Sequence, residues 1–235
     1  DLAKQFYHCF GCGAHGTAIS FLMNYDNLEF LDAIDTLAAQ AGMIVPKEAQ
    51  PDDRHRKEQA QLHDMVERAN QYFQTQLKQH PQAKQAVTYL KDRGLDGQTA
   101  AQFGVGYAPD GWDGLIKALG TSAEQLKLLE DTGLVIKKDE GGYYDRFRSR
   151  VMFPIEDYRG KLVGFGGRVI GKGEPKYLNS PETKLFHKGS ELYGLHRARR
   201  EMGQRDESIV VEGYMDVVGL AQCGVNNAVA TLGTA

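Results

Sequence analysis

Residues 209–217 read Ile-Val-Val-Glu-Gly-Tyr-Met-Asp-Val, and this stretch decides the fold. The apolar run Ile209–Val211 predicts a buried strand, and Glu212-Gly213 a sharp turn. Val217, Val218, Leu220 and Ala221 predict one helix face, which Gly224 closes. Ala228–Ala230 predicts the next strand. Strand, helix and strand in this order form a βαβ unit of a parallel sheet. Glu212 then stands at the carboxyl end of a parallel strand, where open α/β sheets place their ligands. A carboxylate between Val211 and Gly213 has no capping reason to be there. With Asp216 four residues on, it could hold or position Mg²⁺. The bland reading of Asp216 is an acid that favours the helix dipole.

Upstream of this unit, charge is unevenly spread. The chain has 235 residues and a net charge of −3. Residues 1–145 hold 14 basic and 21 acidic groups, residues 146–205 hold 14 and 6, and residues 206–235 hold none and 4. A block of +8 inside an acidic chain suggests a phosphate-rich partner. In YYDRFRSRVMFPI, alternation predicts Arg146, Arg148 and Arg150 on one side of an extended segment, with Phe147 opposite. Three such guanidinium groups suit a polyanion; the rival is a charged, solvated strand edge. Gly164, Gly166 and Gly167 do not fit G-x-G-x-x-G, which excludes a dinucleotide fingerprint. Residues 164–189 instead join Arg168, Lys176 and Lys188 to Asn179, Ser180 and Thr183, a nucleotide- or phosphate-contacting set, with Tyr177 able to stack on a base. The alternative is a polar loop.

At the other end, KQFYHCFGCGAHG predicts a strand, a tight turn and a second short strand. Cys9 and Cys12 form a C-x2-C on that turn, fit for two corners of a zinc tetrahedron. The alternative is a redox pair, which would usually open a helix. Cys223 makes the cysteine count odd, so a disulfide framework is excluded and a reduced, cytoplasmic protein is expected. Helices follow from Thr17 and from about Leu28. Residues 46–57 carry two prolines, many charges and no large apolar residue, and read as a linker. A long helix is expected over 58–79, shorter ones over 82–92, 97–103, 112–119, 123–131 and 192–202, and strands of a mixed sheet at Leu134–Ile136, Val151–Ile155 and Leu162–Ile170. With 41% hydrophobic residues the chain is globular, and no apolar run approaches the length of a membrane span. No signal peptide is expected. The fold class read from all this is α+β and multidomain.

HCFGCGAHG, DRFRSRVMFPI, GFGGRVI, PKYLNSPET, FHKG and VVEGYMDV, in this order and spacing, resemble the bacterial replicative DNA primases, the DnaG family, over essentially the whole chain. The resemblance implies a CHC2-type zinc-binding domain ending at about residue 45, a linker over 46–57, the first lobe of an RNA polymerase core over 58–206, and the start of a Toprim fold from 207. It implies Zn²⁺ on Cys9 and Cys12, whose partner pair would precede Asp1, and Mg²⁺ or Mn²⁺ near Glu212, with a further Asp-x-Asp after Ala235. Residues 1–235 alone would then make a poor enzyme.

The implied reaction is template-directed RNA primer synthesis from ribonucleoside triphosphates on single-stranded DNA. Glu212, Lys176 and Lys188 would be its catalytic residues. Arg146, Arg148, Arg150, Arg168, Tyr177, Asn179, Ser180 and Thr183 would meet nucleotide, template or primer. The replicative helicase and the single-strand-binding protein would be reached through segments outside this chain, and no membrane is involved. Two rival readings stand beside it: a Toprim nuclease or topoisomerase-like enzyme, and a non-enzymatic zinc and single-stranded-DNA binding module.

Overall fold

A computed structural model describes residues 5–26, 28, 30–43, 45, 52–171 and 173–233. The chain divides into two compact units, residues 1–53 and 54–235.

In the first unit, β1 (Tyr7–His8) and β2 (His15–Gly16) form an antiparallel hairpin around the cysteine turn. Helix α1 (Ala18–Tyr25) begins at the expected cap: Ser20 N–H donates to Thr17 Oγ1 (3.3 Å), and Thr17 N–H donates back to Ser20 Oγ (3.3 Å). Helix α2 (Phe30–Gln40) closes where Met43 N–H returns to the Ala38 carbonyl (2.8 Å). Residues 46–51 of the expected linker lie outside the described residues. Its remainder is helical, because α3 starts at Asp52 and runs to Gln79. His55, Arg56 and Lys57, read as linker, are exposed on that helix.

Helix α3 carries the second unit's core stripe. Leu62, Met65, Val66, Ala69 and Phe73 are all buried at helical spacing. Helices α4 (Ala83–Asp92), α5 (Gly97–Gln102), α6 (Gly114–Leu119) and α7 (Ala123–Asp131) follow, close to their expected places. Strand β3 (Gly106–Ala108) lies between α5 and α6, and the ribbon of β4 (Val135–Lys137) and β5 (Tyr143–Asp145) follows α7.

The central sheet is built on β6 (Arg150–Glu156) and β7 (Leu162–Val169), joined by a turn at residues 157–160. Its order is β3-β6-β7-β8, with β8 at Tyr177–Asn179, and every pair is antiparallel. The mixed sheet expected here is therefore replaced by an antiparallel one, and Val135–Lys137 pairs outside it. Pro154 is tolerated in the middle of β6 because β3 stops pairing at Met152, so no partner on that side asks for its missing N–H. Phe73 of α3 meets Phe165 of β7 edge-on (5.3 Å), locking helix to sheet.

The last layer is the βαβ unit. Strand β10 (Ile209–Val211) runs parallel to β11 (Ala228–Thr231), with α9 (Tyr214–Gln222) between them. A short strand β9 (Leu192–Tyr193) adds antiparallel to β11, and α8 (Leu195–Arg205) follows it. The start of the helix expected over 192–202 is thus a strand. Gly194, at φ 82°, turns the chain from one into the other. The unit is fastened to the rest: Gln222 Nε2 donates to Gly94 O (2.8 Å) and its Oε1 accepts from Asp96 N–H (2.8 Å), while Arg197 donates to Gln102 O (2.8 Å) and pairs with Glu156 (2.7 Å). Among the described residues no helix is long and apolar enough to cross a membrane.

Candidate nucleotide and nucleic-acid site

Strand β10 ends at Val211, and Glu212 follows it exposed. Gly213 is extended (φ −139°), so the turn asks for no left-handed backbone there. The expectation that glycine supplies the bend is corrected. A side chain at that position would instead approach Asp216 Oδ2 (3.3 Å). That carboxylate accepts from Gly213 N–H (3.1 Å), so Asp216 does what an acid in a first helical turn ordinarily does. Among the described residues no other hydrogen bond is made by either carboxylate, and Glu212 and Asp216 line one cavity.

A cavity of about 330 Å³ is lined by Glu212, Gly213, Tyr214 and Asp216 on one side, Thr231–Gly233 at the end of β11, and Tyr177 and Asn179 of β8. The lobe and the βαβ unit therefore share one cleft. Tyr214 is buried beneath it. Its hydroxyl donates to Asn179 Oδ1, and Asn179 Nδ2 donates to Leu232 O (2.7 Å). Burial pushes the Tyr214 phenol well above its ordinary range, so it remains a proton donor.

The glycines of β7 make room for this packing. An added Cβ on Gly166 would lie 2.3 Å from the Tyr214 ring, and one on Gly167 would lie 2.9 Å from the Arg150 side chain. Lys188 reaches the same end of β11, its Nζ 3.7 Å from a Cβ position on Gly233, while its N–H donates to Glu182 (3.0 Å). Lys176 is exposed directly before Tyr177.

The expected row of arginines is not formed. Ser149 takes φ 50° between Arg148 and Arg150, which breaks the alternation. Arg150 turns inward, 6% exposed, and donates to Gly167 O (3.2 Å) and Lys176 O (3.4 Å). It braces β6 against β7 and β8, and its placement on a polyanion surface is corrected. Ser180 and Thr183 also serve the fold. Buried Ser180 Oγ accepts from Phe165 N–H (3.0 Å), and Thr183 Oγ1 accepts from Leu185 and Phe186 N–H (3.2 and 3.0 Å).

Arg148 stacks over exposed Trp112 (4.2 Å) and over Tyr144 (5.3 Å). Arg146 is half-buried, and desolvation lowers its guanidinium below the ordinary value, though it stays charged. Arg168 lies over Tyr177 (5.1 Å) and Tyr89 (5.7 Å), joining that arginine to the cleft. Trp112, Tyr144 and Tyr89 escaped the sequence reading. Trp112, the one tryptophan of the chain, in the loop APDGWD, was the available signal.

Cys9 and Cys12 are exposed together on the β1–β2 knuckle. Cys12 N–H, then the Cys12 thiol, then Gly11 N–H, hydrogen-bond to Cys9 and hold its thiol below the ordinary value. A pair of exposed thiols on one knuckle, one of them with its value lowered by its neighbours, fits half of a zinc tetrahedron. Among the described residues, no group of three or more His, Cys, Asp or Glu is gathered for a metal.

Residues 72–199 match the DNA primase catalytic core, N-terminal domain. The chain belongs to the bacterial DNA primase (DnaG) family. Residues 1–53 match the CHC2 zinc finger and residues 206–235 the Toprim domain. The chain is 55% identical over 236 positions to the DNA primase of Pseudomonas aeruginosa and 52% identical over 233 to that of Escherichia coli strain K12. These alignments take in 99% and 98% of this DnaG-type chain but 36% and 40% of the relatives. Of solved structures, a DnaG primase catalytic domain bound to single-stranded DNA superimposes with a TM-score of 0.71 at 49% identity, covering 77% of this chain and 58% of that one. The Aquifex aeolicus primase, with zinc-binding and RNA polymerase domains, gives 0.68 at 35%, covering 99% and 55%.

Proposed function

We propose that the chain supplies the template-binding face and the first catalytic acid of a DNA primase that makes short RNA primers on single-stranded DNA. The observation that carries this is the shared cleft, with acid from the β10–α9 turn on one wall and Tyr177 and Asn179 on the other. In this reading, residues 1–45 belong to the zinc-binding domain, 46–57 to the connection, 58–206 to the polymerase lobe and 207–235 to the Toprim unit.

Ribonucleoside triphosphates enter the cleft with their phosphates toward Lys176 and Lys188. Glu212 and Asp216 would hold Mg²⁺ or Mn²⁺, which would supply charge neutralisation on a triphosphate when bound. Cys9 and Cys12 would hold Zn²⁺ as two of its four ligands, which would tie the knuckle together. Arg146, Arg148 and Arg168 face template and primer. Support for single-stranded DNA as the partner comes from the DNA-bound relative and from the +8 block. The replicative helicase and single-strand-binding protein are the expected protein partners, and the cytoplasm the expected compartment.

The test is Glu212→Gln in the natural full-length protein, with primer yield measured in Mg²⁺. A loss of about 100-fold or more with unchanged folding is expected, on the scale of removing a catalytic metal ligand or electrostatic partner. A yield near wild type rejects the assignment. Incorporation of labelled ribonucleotides against strand cleavage separates a primase from a Toprim nuclease.

A further inference from the structure

We infer that Tyr214 is a positioning residue, which holds Asn179 and Tyr177 of β8 in register with the Glu212 turn and so sets the ribonucleotide-binding gap. The inference rests on the primase reading of this cleft. Two hydrogen bonds carry it. The Tyr214 hydroxyl donates to Asn179 Oδ1. Asn179 Nδ2 in turn donates to Leu232 O at 2.7 Å, so one amide is held from both ends, by α9 and by the end of β11. That also fixes which way the amide faces, since only its nitrogen can donate to a carbonyl.

The ring is as closely held as the hydroxyl. It stacks on Phe153 (5.6 Å, 27°) and meets Tyr193 (4.9 Å) and Tyr177 (6.2 Å) edge-on. It also occupies the slot that only glycine at position 166 leaves open, where a Cβ would stand 2.3 Å away. Tyr177, 46% exposed, thus meets both the buried Tyr214 ring (6.2 Å) and the Arg168 guanidinium (5.1 Å). A tyrosine that only filled the core would not need a hydroxyl in the lining of a polar cleft, because a buried phenol without a partner is unfavourable. Here the hydroxyl has one partner, and that partner lines the cleft.

Tyr214→Phe keeps the ring and removes the tether; Asn179→Ala removes the tethered group; the double variant reads their coupling. Gly166→Ala displaces the ring with the hydroxyl intact. In the natural full-length protein, Tyr214→Phe is expected to unfold at nearly the wild-type temperature. It should raise KM for ribonucleotide about tenfold while kcat changes less than about threefold, the split that marks lost ground-state binding. Gly166→Ala is expected to raise KM in the same sense. The double variant is expected to match Asn179→Ala alone.

Equilibrium affinity for ATP in Mg²⁺, measured by titration, is expected to fall by the same factor as KM rises. A KM and ATP affinity within twofold of wild type for Tyr214→Phe, a fall in kcat alone, or losses that multiply in the double variant would overturn the role. A wild-type protein that binds ATP but makes no primers would instead overturn the primase reading, and the affinity comparison would still decide the relay.

Discussion

Arg148 and Arg150 are two residues apart, carry the same charge and have opposite duties. Arg150 is buried with two carbonyl acceptors, so it holds strands together. Arg148 is half-buried, lies on an exposed tryptophan and donates to one carbonyl, that of Asp145. Arg150→Ala is expected to lower unfolding stability by about 2–3 kcal/mol, the range for hydrogen bonds to a buried charged group. Arg148→Ala, which removes one carbonyl contact rather than two, is expected to cost less stability than Arg150→Ala and to weaken single-stranded DNA binding. Chemical denaturation and fluorescence anisotropy on both variants check this; equal losses of stability would remove the distinction. The sequence pattern could not separate the two residues, because alternation assumes unbroken extended backbone and Ser149 leaves that region.

At the scale of elements, the stretch joining the lobe to the βαβ unit carries a titration. Burial first, and Asp157 second, push Glu191 up from 4.5 to about 7, against a smaller downward pull from His187. A carboxyl whose value rises on folding stabilises the fold fully below its ordinary value, and that contribution is lost as pH rises toward the folded value. Glu191→Gln is neutral throughout. Its thermal midpoint is therefore expected to gain on the wild type as pH climbs from about 5 to about 8, with the gain levelling off above about 7. Parallel curves across that range would show that Glu191 is solvated in the fold.

Elements are also where the reading of the chain was most and least successful. The βαβ unit was legible because its strands are short apolar runs and its crossover helix an amphipathic one, although β10, expected to be buried, leaves Val210 64% exposed and only β11 is buried. Strands β3, β5, β8 and β9 were not. Each is two or three residues long, too short to show a period, and is defined by a partner elsewhere in the chain.

For the molecule as a whole, charge sets the behaviour. An acidic chain with a +8 block should bind single strands through counterion release. Affinity of the full chain for a single-stranded oligonucleotide is expected to fall about tenfold or more between about 50 and 200 mM salt, as several phosphate contacts require. A flat response would mean that the basic residues do not meet phosphate.

The sequence by itself determined the family-specific motifs, the C-x2-C knuckle, the acid at a strand's carboxyl end and the uneven charge, because each is written in contiguous residues whose chemistry is local. Only the tertiary structure decided which cations face outward, why β7 is rich in glycine and what Tyr214 touches. Those depend on residues 35 to 53 positions apart meeting across the cleft, as Tyr214 meets Asn179 and Asn179 meets Leu232. Contacts at that separation are set by packing, which no local period encodes.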